Sequence, residues 1–166
     1  MDYVKFLSGE CKDDKGRMVT DILKYNKVKL ETIHNYIQEM FPTTEQSQFS
    51  KIQPISLREV DELRKNKTAL LNIHKMYEKM LSFWGIDGDK YLSGYEKLLP
   101  FRIWNHNNNH NQWRMTRVLK SLKLLEMDME FIDFSRRIRH ILLLRQEGNA
   151  HIHISDETAE IWRTNL

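Results

Sequence analysis

Arg114, Arg117 and Lys120 stand at successive three-residue steps just after a run of asparagine and histidine, so one helical side would carry all three cations. Guanidinium forks take carboxylate or phosphate oxygens in pairs, and the free amides and positive dipole end of a helix start favour the same ligands. Arg114 and Arg117, as i and i+3 neighbours, are placed to reach one shared anion. His110 and Asn111 add polar groups just before them, and Trp104 and Trp113 offer aromatic faces on which bases can stack. From residue 101 to 125 the chain holds Arg102, Arg114, Arg117, Lys120 and Lys123 and no acid, so the basic excess is local. The structural alternative is a solvated helix face with arginines paired to acids elsewhere and tryptophans in the core. Spacing leaves both open.

The histidines raise metal chemistry. His106 and His110, at i and i+4, would share a helical face, but no acid or cysteine stands close by as a third ligand. Glu31 and His34 form one Glu-x-x-His pair where di-iron bundles need two. His34 and His74 each follow an isoleucine on an apolar face and are expected as hydrogen-bonded core residues; His151 and His153 are expected at the surface. Cys11 has no base beside it in sequence. Glycine-rich phosphate loops, G-x-S-x-G and HExxH are absent from the sequence. No catalytic residue, metal ligand or cofactor is assigned.

The elements that must position these groups read as helices. Met115, Val118, Leu119, Leu122 and Leu125 form the buried stripe of the basic helix, with Arg114, Arg117, Lys120 and Ser121 on its other side. The preceding NHNNNH is expected to be a loop or cap, because asparagine side chains compete for backbone hydrogen bonds. Upstream, Phe6 and Leu7 lead into a turn-rich SGECKDDKG, and Met18, Ile22 and Leu23 suggest a brief helix. Leu30, Ile33, His34, Ile37, Met40 and Phe41 predict one continuous helix that Pro42 stops. A Ser56/Glu59 capping box opens a helix from Leu57 to about Lys65, Asn66 caps the next, and Gly85 ends that one in the left-handed conformation. A short helical piece follows near residues 95 to 99. Phe131, Phe134, Ile138, Ile141 and Leu142 stripe a further helix closed by Gly148, and Ser155 caps a last one holding Ile161 and Trp162. HIHI at 151 to 154 alternates like a strand but is too short to form a sheet alone.

Composition bounds the rest. A chain of 166 residues, 40% apolar with six glycines and three prolines, is one all-α domain over 1–166 of about six to eight helices. A net charge of +3, from 26 basic and 23 acidic residues, does not by itself announce nucleic acid. One cysteine excludes an internal disulfide and fits a reducing compartment, so an intracellular, cytoplasmic location is expected. No apolar run approaches the ~20 residues of a membrane span, and the start lacks the apolar core of a secretory signal.

Several stretches carry a resemblance. LETIHNYIQEMFPTTEQS is similar to the pattern LE..H.YIQWLFP..E.S, and NHNNNHNQWRMTRVLKSL to HN..RITRIL.SL, of the conserved domain of the opioid growth factor receptor. FLSGECKDDKGR and LLNIHKMYEKMLSFWGI, the latter resembling AYE.ML.FYG, fall in the expected order. The resemblance runs from about Phe6 to about Phe134 and has no counterpart of the receptor's repeat-rich tail, implying a free-standing version of the domain. Animal members are described as receptors for an enkephalin peptide that associate with the nucleus. Two positions depart: Glu39 stands where the family has tryptophan, and Glu126 where it has glycine. The resemblance implies a non-catalytic module for a peptide or protein ligand; the chemistry of the residues themselves, not the family, makes His106, His110, Asn111, Trp113, Arg114, Arg117 and Lys120 the candidate contacts. A nucleic-acid or phosphorylated-ligand binder using the same arginines is the alternative, and a metal-dependent hydrolase using the histidines ranks third.

Overall fold

The computed structural model describes residues 1–46, 51–87, 102–106, 109–148 and 151–166. Its described residues form helices α1 (Tyr3–Ser8), α2 (Val19–Leu23), α3 (Lys27–Thr32), α4 (Tyr36–Met40), α5 (Leu57–Lys65), α6 (Lys67–Trp84), α7 (His110–Leu124), α8 (Asp128–Gln146) and α9 (Asp156–Asn165), and no strand. The protein is all-α. That is nine helices where six to eight were expected: residues 3–8 are helical, and the stripe from Leu30 to Phe41 is split in two. The piece expected near 95 to 99 lies outside the described residues.

Local signals explain most boundaries. Asp2, Asn26, Ser56, Asn66, Asn109 and Ser155 each accept a backbone amide in the first turn of α1, α3, α5, α6, α7 and α9, satisfying donors the helix leaves unpaired. Gly85 ends α6 at φ 64°, and the Ile86 amide reaches back to the Leu81 carbonyl. The Arg102 guanidinium fills the space where a side chain at Gly85 would sit.

Two packed groups meet at Trp84. α1, α2 and α5 lie on α6, burying Tyr3, Phe6, Leu7, Val19, Ile22, Val60 and Leu63. On the other side α7 packs against α8 and α9, and α4 rests on α7. Trp84 stacks on Phe134 with ring centroids 5.9 Å apart, its indole donates to Asn111 Oδ1, and its carbonyl accepts from the Trp104 indole at 3.1 Å. Trp104 is therefore a core residue, not a stacking platform. Ser121, expected on the polar side of α7, is buried too.

The junction from α7 to α8 is a Schellman motif. The Met127 amide donates to the Leu122 carbonyl at 3.0 Å and the Glu126 amide to that of Lys123 at 3.3 Å, with Leu122 and Met127 both buried. Glu126 takes φ 55°, the one non-glycine with positive φ among the described residues. The geometry thus demands what glycine supplies freely, at the position where the resemblance leads one to expect it. An ion pair to Arg64 at 3.1 Å gives partial compensation, but the Glu126 side chain is 63% exposed, so it recovers little. Left-handed backbone costs a non-glycine residue about 1–2 kcal/mol. Glu126→Gly should therefore raise the urea midpoint, by about 0.5–1 kcal/mol of stability after the lost ion pair and added chain entropy are subtracted; a lower midpoint would show that the Arg64 pair outweighs the strain.

Candidate functional site

Arg114 and Arg117 leave the same helix but do not share a target. Arg114 is 4% exposed. Its Nη1 donates to the Leu30 carbonyl at 2.8 Å and to Asn111 Oδ1 at 3.1 Å, while Nη2 reaches the carbonyls of Ile33 at 3.1 Å and Glu31 at 3.4 Å. The guanidinium lies 5.5 Å from the centre of the Tyr36 ring. Carbonyls that a continuous helix would pair within itself instead accept from an arginine on another helix, and Ile33 turns extended at φ −93°, ψ 122°. That is why the predicted long helix divides. Burial lowers the basicity of Arg114, and Tyr36 and Glu31 oppose that lowering through space. Arg114, expected on the side of α7 away from the buried stripe, is instead buried, and it caps the end of α3.

Arg117 caps α4 in the same manner, Nε donating to the Phe41 carbonyl at 2.9 Å. Among the described residues this is its only hydrogen bond, and Arg117 also lines a groove. Lys120, one turn on, pairs with Glu45 at 2.6 Å.

The groove measures about 830 Å³ and runs between the α3–α4 junction, α4, residues 43–46, α7 and α9. His110, Trp113, Arg114, Arg117 and Lys120 line it, so the structure brings together five of the sequence candidates. Trp113 is 43% exposed along it. The other two candidates are elsewhere. Asn111 is buried, accepting from Trp84 and Arg114 and donating to Glu31 at 3.1 Å. His106 is exposed, lies before the helix, and contributes its carbonyl to Gln112 at 3.0 Å. The one-face pairing of His106 with His110 therefore does not form.

His110 instead meets His34 edge to face, ring centroids 5.2 Å apart, with Glu31 Oε1 3.2 Å from its Nε2. His34 is exposed, not a core residue, and His74 is partly exposed beside Glu130 at 2.7 Å. Arg114 Nη2 sits 3.2 Å from His34 Nδ1, and burial together with the Arg114 charge pushes His110 below the ordinary histidine value. A fixed guanidinium disfavours a second cation there. Among the described residues no three or more His, Cys, Asp or Glu are arranged to hold a metal. Wall residues such as Ile37, Thr43, Glu45, Ile161 and Thr164 were missed by sequence reasoning. No spacing in the sequence ties them to the basic helix, and only the fold brings them to its side.

The model of the opioid growth factor receptor conserved region matches residues 4–153. The chain belongs to that family. It is 34% identical to the opioid growth factor receptor of Mus musculus over 125 residues, 71% of this chain and 20% of the relative. To the receptor of Homo sapiens it is 31% identical over 135 residues, 75% of this chain and 19% of the relative. To opioid growth factor receptor-like protein 1 of Xenopus tropicalis it is 37% identical over 100 residues, 57% and 19% of the two chains. The chain thus spans about a fifth of the length of the curated relatives it matches. No solved structure matches it.

Within the opioid growth factor receptor pattern, Glu39 replaces an expected tryptophan, and the structure buries this carboxyl among residues that do not line the groove. Glu39 is 2% exposed, and Arg17 donates to it while also holding Asp13 at 2.6 Å. One guanidinium serves two buried carboxyls. Asp13 also accepts the amides of Lys15 and Arg17 at 2.8 Å, so it keeps the charge and its acidity rises. Burial, opposed by Arg17, pushes Glu39 up to about 8, and the Asp13 charge adds to the rise. The folded chain therefore holds a proton that the unfolded chain releases near the ordinary 4.5. Stability contributed by this proton is present below that value and is lost as pH climbs toward 8, at no more than about 1.4 kcal/mol per pH unit. Glu39→Gln should flatten this decline, so that its melting temperature gains on the natural chain progressively from pH 5 to 8; parallel curves across that range would show Glu39 to be ionised in the fold.

Proposed function

We propose that the chain is a non-catalytic recognition module that binds a peptide or protein ligand in the groove beside α7, and that it works inside the cell. One observation carries the reading: a walled groove of about 830 Å³ combines the Trp113 face with apolar Ile37 and Ile161 and the cations of α7. Sites for extended ligands have this composition, apolar contact area for affinity and a few fixed polar groups for orientation. The names of the relatives, which call them receptors, support a ligand. Among the described residues no helix is long and apolar enough to cross a membrane.

Nucleic acid ranks behind a peptide. Phosphate tracking needs several available cations in a row, whereas Arg114 is consumed by the carbonyls of residues 30, 31 and 33, and Glu45 stands at the same rim. A hydrolase built on His106 and His110 ranks third, since the two do not share a helical face.

Random displayed peptides panned against the natural chain and a groove-filled variant, Thr164→Trp, test the reading. Thr164 is an exposed wall residue, so the variant should melt like the parent. Peptides enriched on the natural chain should lose binding at least about tenfold on the filled one, about 1.4 kcal/mol; equal retention on both would remove the groove as the site.

A further inference from the structure

We infer that the groove's ligand presents a carboxylate to Arg117 and Lys120, and that Glu45 is the chain's own stand-in for it; this rests on the recognition reading above. The cationic part of the groove is asymmetric. Arg114 is spent on backbone carbonyls, whereas Arg117, which also lines the groove, donates only through Nε among the described residues, so its two terminal nitrogens hold no hydrogen bond there. Lys120, one turn further along the same face, lies with its amine 2.6 Å from Glu45 Oε2. Burial lowers the basicity of Arg117, and Tyr3 and then Glu45 oppose that lowering through space.

The Glu45 carboxylate therefore already satisfies part of what this pair of cations demands. Its side chain is 66% exposed, so holding it there gains little and giving it up costs little. A peptide carboxylate offered from within the groove gains more than Glu45 does, since it would meet Lys120 and both terminal nitrogens of Arg117, in partly desolvated surroundings where a bidentate guanidinium pair is strong. Trp113, three residues before Thr116 and four before Arg117, lies on the same groove wall, so an aromatic or long apolar side chain next to the acid has a face to cover. The structure thus assigns an acidic residue flanked by an apolar one as the recognised element. A single carboxylate is favoured over phosphate, because Glu45 at the rim would oppose the second negative charge of a phosphate.

The groove-dependent peptides from the selection above should be enriched in Asp or Glu beside an aromatic or aliphatic residue. Each should then be synthesised as an acid and amide pair, with Glu or Gln at the enriched position, and titrated by fluorescence polarisation. The acid form should bind the natural chain about tenfold tighter than the amide form. Lys120→Gln, at a surface position, should abolish most of that difference, and Arg117→Lys should reduce it, because a point charge lacks the fork. Glu45→Gln should tighten the acid form about two- to fivefold and leave the amide form unchanged. Groove-dependent peptides without acid preference would overturn this inference and leave the recognition reading standing; peptides indifferent to the groove would overturn that reading itself. Weaker or unchanged binding of the acid form to Glu45→Gln would remove its stand-in role. A phosphoserine version that binds where the Glu version does not would reassign the subsite to phosphate.

Discussion

The guanidinium of Arg114 is the point on which the groove side of the molecule depends. α3 and α4 have six and five residues, far below the length at which a helix persists in water on its own. They hold because an arginine from α7 accepts the role their own next turns would have played, donating to the Leu30, Glu31 and Ile33 carbonyls. A hydrogen bond from a charged donor contributes about 1.5–3 kcal/mol net, and here it also offsets the cost of leaving helix-end carbonyls buried without a donor. Arg117 does the same for Phe41, and Arg17 ties the far face of α4 through Glu39 to Asp13. Arginines rather than apolar contacts alone therefore fix the angle between α3 and α4, and with it one wall of the groove.

That division of labour separates Arg114 from Arg117 in function. Both project from the first turns of α7, but burial decides that one is scaffold and the other half scaffold and half surface. Arg114 is buried and its nitrogens reach the carbonyls at the α3 end, whereas Arg117 is partly exposed, holds the Phe41 carbonyl where α4 has ended and lines the groove. A helix face that looks uniform in sequence is graded from core to groove in space.

The sequence made much of the fold legible because its boundary signals are local. The Ser56 box, the Asn66 and Ser155 caps and the Gly85 and Gly148 turns act within one helical turn, and all sit where expected. What it hid was non-local. Nothing between Leu30 and Phe41 announces a break, because the cause is a side chain 80 and more positions away. For the same reason His34 looked like a core histidine and became a groove residue, and His110 found its neighbour in His34 instead of His106. The basic stripe of α7 was readable as a candidate site, but which cation faced carbonyls and which faced the groove was not. Glu39 and Glu126 show the other limit: a departure from a family pattern marks an unusual position without saying whether a buried partner or backbone strain answers it.

Residue-resolved amide hydrogen exchange on the natural chain and Arg114→Lys tests the central role of that guanidinium most directly. Lysine keeps the charge but cannot span several carbonyls at once. Protection should fall for amides of residues 27–41, including Leu30, Ile33 and Phe41, whose hydrogen bonds to Asn26, Lys29 and Ile37 belong to the two short helices, while the cores of α6 and α8 exchange as before. Unchanged protection across 27–41, or an equal loss throughout the chain, would contradict the account.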